Sequence, residues 1–168
     1  MRKIIFYIVI SLVFSSCISQ KKITKRNNIN SIIGEARTYI GTPYLWGGND
    51  KNGIDCSGLL VRSFESIGMK IPRTTSQQID IGKNITINRT INWLRGKPIS
   101  LNKSKSGDLV FFAFGKSKRK VTHVGLISNV KNKLDMDFIH ASSTRGVVET
   151  QLNKDYYLKR IRKIKRVF

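Results

Sequence analysis

Acidic side chains are what this 168-residue chain most lacks: 10 Asp and Glu stand against 31 Lys and Arg, a formal net charge of +21. Such a balance implies a polyanionic setting, whether nucleic acid, an acidic membrane leaflet or an anionic cell wall, and charge alone does not choose among them. Cysteine is scarce too. Cys17 and Cys56 are the only two, which excludes a disulfide scaffold. Histidine occurs twice, at His123 and His140; a zinc site would need further ligands and tighter spacing, so no metal or other cofactor is expected. There is no internal repeat, and no apolar run reaches the roughly 20 residues of a membrane-spanning helix. Hydrophobic residues nevertheless make up 40%, enough for one domain of this length to bury a core.

Arg2 and Lys3 precede the apolar run Ile4 to Phe14, which only Ser11 interrupts, and Ser15-Ser16-Cys17 follows. A charged start, an apolar stretch of that length and small residues before a cysteine make an export signal. The order resembles a bacterial lipoprotein signal, cleaved just before a cysteine that becomes the lipidated first residue, although Phe14 stands where leucine is usual. An ordinary secretory signal or an uncleaved anchor are the alternatives. Residues 1–16 are therefore expected to be a signal peptide, with Cys17 lipidated and holding the protein to a membrane. Residues 17–30 are expected to form a flexible basic tether, since apolar periodicity is absent from Ile18 to Asn30. Ile18 provides no retention signal of the aspartate kind. The expected location is thus an exported lipoprotein facing the periplasm or cell wall, on the outer membrane where the cell has one. Export, and basic residues that form no aromatic-interleaved stripe, argue against nucleic acid as a partner.

The folded domain is expected over residues 31–168. Ile32, Ile33, Ala36, Tyr39 and Ile40 fall at helical spacing between Ser31 as N-cap and Gly41 as stop. Tyr44 and Trp46, in the loop that follows, read from spacing as core anchors or as cleft residues, the former first. A glycine-rich approach then ends at Asp55-Cys56-Ser57-Gly58. Leu59, Leu60, Phe64 and Ile67 predict a second helix there, with Asp55 as N-cap and Gly68 at its end. Cys56, in the first turn, is either a small core residue or a nucleophile whose thiol the helix terminus makes more acidic, with the Asp55 charge working against it. The stretch from Ile71 to Gln78 reads as a loop entering a short helix capped by Thr75. Residues 82–106, around Trp93, show no period and read as an insertion or long surface loop. From Gly107 the period becomes two. Strands are expected over 108–114, 121–127, 136–142 and 147–152, and 157–168 fits a helix or a bulged strand and is assigned as strand. Helices first and an antiparallel meander after them define an α+β fold, with helices packed on a sheet.

His123 and His140 fall in adjacent expected strands, which lie about 4.8 Å apart when paired, so on one face their rings touch. A thiol, an imidazole and a second polar group that orients the imidazole are the parts of a Cys–His triad. In order, Tyr44-Leu45-Trp46-Gly47-Gly48, Asp55-Cys56-Ser57-Gly58-Leu59, Gly107-Asp108-Leu109-Val110-Phe111-Phe112, Thr122-His123-Val124-Gly125-Leu126 and Ile139-His140-Ala141 resemble the signature segments of the NlpC-type cell-wall peptidases. These are papain-like cysteine peptidases that cut peptidoglycan stem peptides. The resemblance implies a papain-like domain in which Cys56 is the nucleophile, His123 the base and His140 the residue that orients it. It puts the Tyr44 hydroxyl by the oxyanion, in place of the core reading. It also places Asp55 and Ser57 in the substrate subsites, with Asp55 meeting a cationic amine of the stem peptide. The bond cut would be D-glutamyl to diaminopimelate or a diaminopimelate cross-link, and the enzyme a monomer. Other readings are a catalytically silent peptidoglycan-binding lipoprotein, or an amidase or acyltransferase on the same fold. Residues 82–106 lengthen the interval between Cys56 and His123 beyond that of compact members, and would alter substrate choice if folded over the cleft.

Overall fold

A computed structural model of the chain describes residues 2–87, 101–115, 120–132 and 135–168, with side chains from residue 20 onward. Trp93 and the middle of the 82–106 stretch lie outside the described residues, as does the side chain of Cys17. The chain runs through α1 (Arg2–Thr38), the short hairpin β1 (Asn49–Asp50) and β2 (Gly53–Ile54), α2 (Cys56–Glu65) and α3 (Thr75–Gln78). It continues as β3 (Lys83–Ile85), β4 (Leu109–Phe112), β5 (His123–Val130), β6 (Met136–Ser142) and β7 (Gly146–Gln151), then α4 (Asp155–Leu158) and β8 (Ile161–Arg166). One antiparallel sheet holds six strands in the order β3-β8-β4-β5-β6-β7.

Both faces of this sheet are covered, so β4 and the middles of β5 and β6 are buried at consecutive positions where a period of two was expected. Leu109, Phe111, Val124, Leu126, Ile139 and Ala141 meet α1 and α2 through Ile32, Ile33, Ala36, Leu59, Leu60 and Phe64. Val110, Phe112, Ile127 and Phe138 point the other way, onto Tyr157, Leu158 and Leu152. The described ends of the 82–106 stretch belong to this second face: β3 pairs with β8 at the sheet edge, and Ile85, Ile87 and Leu101 pack there.

Three elements differ from expectation. Ser31 does not cap α1; the helix continues through residues 20–30, where a flexible tether was expected. Ile29 explains the continuation, because it lies one turn before Ile32 and Ile33, packs on the same core and abuts Gly107. The polar residues before it are simply the solvated side of a helix. Thr75 is the first residue of α3 rather than its cap; Thr74 holds that position and makes no side-chain cap bond. The segment 157–168 splits, its first residues ending α4 and its later ones forming β8, which pairs with both β3 and β4. Asp108, at the head of β4 and 1% exposed, accepts two bonds from Arg166 of β8 (2.8 and 2.7 Å) and one from the Lys105 N–H.

Candidate active site

The thiol half of the site is built by polar bonds. Asp55 caps α2 as expected, its Oδ1 accepting from the Gly58 N–H at 2.6 Å and from the Ser57 hydroxyl at 3.0 Å, while Oδ2 accepts from the Gly47 N–H. Arg73 closes the arrangement with one nitrogen on each carboxylate oxygen, both at 2.9 Å, and further bonds to the Ser57 hydroxyl and the Gly48 carbonyl. Gly58 has no alternative here, because a Cβ would strike the Gly48 carbonyl oxygen. Gln78 then donates to the Ser57 and Pro72 carbonyls. The first turn of α2, the Gly47-Gly48 loop and the 72–78 segment are thereby one rigid body.

These contacts revise the expectations for Asp55 and Ser57. The cation that Asp55 meets is Arg73 of its own chain, and the Ser57 hydroxyl is spent on the same pair; both residues are buried. Burial works to raise the Asp55 carboxyl, but Arg73, the Gly58 N–H and the Ser57 hydroxyl outweigh it and hold it below the usual carboxylate range. An acidic neighbour is thus tolerable beside Cys56 because its charge is already matched. Arg73 and Gln78 had no distinguishing mark in the sequence, and Thr75 was marked only as a helix cap. The one available signal was chemical: a buried capping carboxylate requires a cation.

Cys56 is buried and its Sγ lies 3.6 Å from the Thr75 hydroxyl, with the backbone N–H groups of Val124 and Ser57 directed at it. The Val124 contact brings the sulfur to the head of β5, one residue from His123. Burial dominates the thiol and pushes its pKa up, against the opposing pull of Thr75 and the two N–H groups. The acidifying effect expected of the helix terminus is therefore overruled.

The imidazole half is built by aromatic packing. β5 and β6 are neighbours in the register Leu126↔Ile139, and the two histidines meet with His123 Nε2 2.9 Å from His140 Nδ1. His123 contacts Phe112 and Phe114, while His140 stacks on Phe138 at 4.6 Å and meets the edge of Tyr157. Gly125 makes room for this stack, since a Cβ there would come within 2.6 Å of the Phe138 ring. Burial depresses both imidazoles, His123 to about 4 and His140, with help from the nearby His123 and Arg145 charges, to about 3. Both are neutral at pH 7. His140 Nε2 is buried without a protein partner.

A cleft of about 460 Å³ opens over the histidines, lined by Tyr44, Phe114, Thr144, Arg145 and Tyr156 among others. Tyr44 is half-buried and tied through a β-bridge to Ile54; burial first, then the charges of Cys56 and Asp55, raise its hydroxyl pKa, so it remains a proton donor. The structure thus places Tyr44 between the two halves. Trp46, which spacing also allowed as a core anchor, is 84% exposed.

An α+β fold of helices on an antiparallel sheet, with a cysteine at a helix start and paired histidines on neighbouring strands, is that of the papain-like class. Residues 41–166 match the NlpC/P60 family, and the chain belongs to it. The Escherichia coli protein named murein DD-endopeptidase MepS/murein LD-carboxypeptidase is 33% identical over 137 residues, or 81% of this chain and 61% of that one. This chain therefore spans about three-fifths of that relative's length. A Bacillus subtilis gamma-D-glutamyl-L-lysine dipeptidyl-peptidase is 36% identical over 65% of this chain and 31% of its own. Among solved structures, an NlpC/P60 family protein from Bacillus cereus superposes with a TM-score of 0.65 at 26% identity, covering 83% of this chain and 40% of that one. The NlpC/p60 domain of the peptidoglycan hydrolase SagA gives 0.58 at 26% identity, covering 80% and 95%.

Proposed function

We propose that the protein is a cysteine peptidase that hydrolyses amide bonds in peptidoglycan stem peptides. The observations that carry this reading are a buried Cys56 at the start of α2 whose thiol the Val124 N–H of β5 reaches and, one residue before Val124, a histidine whose ring is held 2.9 Å from a second one. The relatives named as murein endopeptidase and glutamyl-lysine peptidase support the substrate class.

The resting pair is a neutral thiol and a neutral imidazole, which differs from the thiolate–imidazolium pair usually drawn for such sites. For His123 to take the thiol proton at Nδ1, its own proton must sit on Nε2 and be donated to His140 Nδ1. His140 then carries its proton on Nε2. Fixing that tautomer is the orienting role of His140. As sulfur attacks the carbonyl carbon, His123 accepts the thiol proton, and the carbonyl oxygen takes the developing charge. The Tyr44 hydroxyl and the Cys56 N–H, an orphan of the first turn of α2, donate to that oxygen. His123 passes its proton to the leaving amine, and water, deprotonated by the same ring, releases the acyl group from the thioester. The bond is either D-glutamyl to diaminopimelate or a cross-link between diaminopimelates. Lipidation at Cys17 would hold a monomeric enzyme to the membrane, facing the wall.

Defined muropeptides incubated with the protein, with fragments weighed by mass spectrometry, identify the bond. Cys56→Ala is expected to lower the rate by at least about 10⁴-fold while thermal unfolding is unchanged. Hydrolysis that survived the substitution would remove Cys56 as nucleophile.

A further inference from the structure

Among the described residues that line the cleft above the histidines there is one fixed positive charge and no acidic side chain. That charge is Arg145, in the turn between β6 and β7, five residues beyond His140 in the chain. Its one polar contact among the described residues is a long bond to the Tyr157 hydroxyl, 3.5 Å, and no carboxylate lies within ion-pair distance of it. The other arginine of the site, Arg73, is by contrast saturated by Asp55.

Arg145 stands on a firm base. Gly146 follows it with φ +68°, and a Cβ there would strike the Thr42 carbonyl oxygen. Val147 donates to that same oxygen at 2.9 Å and accepts from the Gly41 N–H at 2.9 Å. The turn is thus pinned to the segment between α1 and Tyr44, while the guanidinium side chain remains exposed to the cleft. An unpaired, planar, five-donor cation on a rigid turn is a receptor for a carboxylate, which it can hold through two parallel bonds.

We propose that Arg145 is the specificity residue of the cleft and binds a free carboxylate of the substrate next to the scissile amide. This rests on the reading of the protein as a stem-peptide peptidase. Stem peptides carry such groups on their glutamyl and diaminopimelyl residues, and amidation converts them to neutral carboxamides of the same shape. The cleft therefore discriminates between the free and the amidated stem.

The test uses the full-length protein and two synthetic stem peptides identical except that the carboxylates of one are carboxamides. The free acid is expected to have the lower KM by roughly 10- to 100-fold, the range of a charge-assisted bidentate pair. Arg145→Gln should raise KM for the acid to that of the amide, and Arg145→Lys should fall between. Equal KM values for the two peptides in the unsubstituted protein, or a preference that survives Arg145→Gln, would overturn the proposal. Calorimetric binding of both peptides to Cys56→Ala, with and without Arg145→Gln, separates the two levels. A carboxylate preference in that binding, together with no turnover of either peptide by the unsubstituted protein, would refute the peptidase reading and keep the Arg145 site.

Discussion

The two halves of the site are held by opposite means. Around Cys56, a carboxylate, a guanidinium, two hydroxyls and several backbone N–H groups form a closed polar clamp, and each partner of Asp55 is accounted for. Around His123 and His140, four aromatic rings do the positioning, one hydrogen bond joins the imidazoles, and His140 Nε2 is buried without a protein partner. The difference suits the two tasks proposed for Cys56 and His123. A nucleophile has to stay at one point, which directional bonds secure. A base, the role proposed for His123, would have to change charge during the cycle, and an aromatic wall favours its neutral form before the thiol proton arrives.

After Cys56→Ala, the largest effect on turnover is expected where the halves meet. Tyr44→Phe removes one oxyanion donor, typically about 2.7–4 kcal/mol, so turnover of muropeptides should fall by roughly a hundredfold or more with unfolding unchanged. An undiminished rate would take Tyr44 out of the chemistry. Breaking the polar clamp comes next. Arg73→Met leaves the buried Asp55 charge unmatched and should cost about 2–3 kcal/mol in urea unfolding, less than a fully buried pair would because the guanidinium is 36% exposed. Adding Asp55→Asn to it should restore part of the loss. The more exposed Arg37–Glu149 pair is the control, and Arg37→Met should cost under about 1 kcal/mol.

The aromatic half is tested by acid. Unfolded histidines take up protons below about 6.5, whereas the folded ones resist until about 4 and about 3. Between these values the unfolded chain holds more protons, so stability falls as pH drops, by about 1.4 kcal/mol per pH unit for each histidine. Asp55, held below its ordinary value, loses its contribution only at still lower pH. Thermal unfolding followed from pH 7 to 4 should therefore decline, and His140→Asn should remove about half of the slope. A flat profile over that interval would mean that the rings are not dry.

Some of this was legible in the residues. The strand over Met136–Ser142 is legible to the residue, because it is bounded by turn chemistry on both sides. Asp55 as cap was legible because a side-chain acceptor three residues before an N–H needs only local geometry. The pairing of His123 with His140 followed from their strands being consecutive. By contrast, the helix over residues 20–30 could not be read, since those positions are polar on nearly every side and only Ile29 ties them to the core. Trp46 misled because a large aromatic between two turns has the same pattern whether it faces in or out.

What the sequence determined by itself was everything that depends on near neighbours: the α2 start at Asp55, the antiparallel order of β4 to β7, and a cysteine and two histidines as the only candidates for their roles. Which cation out of 31 would reach Asp55, that Arg145 would be left without an acid, and that burial would hold the thiol and imidazoles neutral were settled only by the tertiary structure. Charge pairing and desolvation depend on distances through space between residues far apart in the chain, and spacing along the chain carries no measure of those.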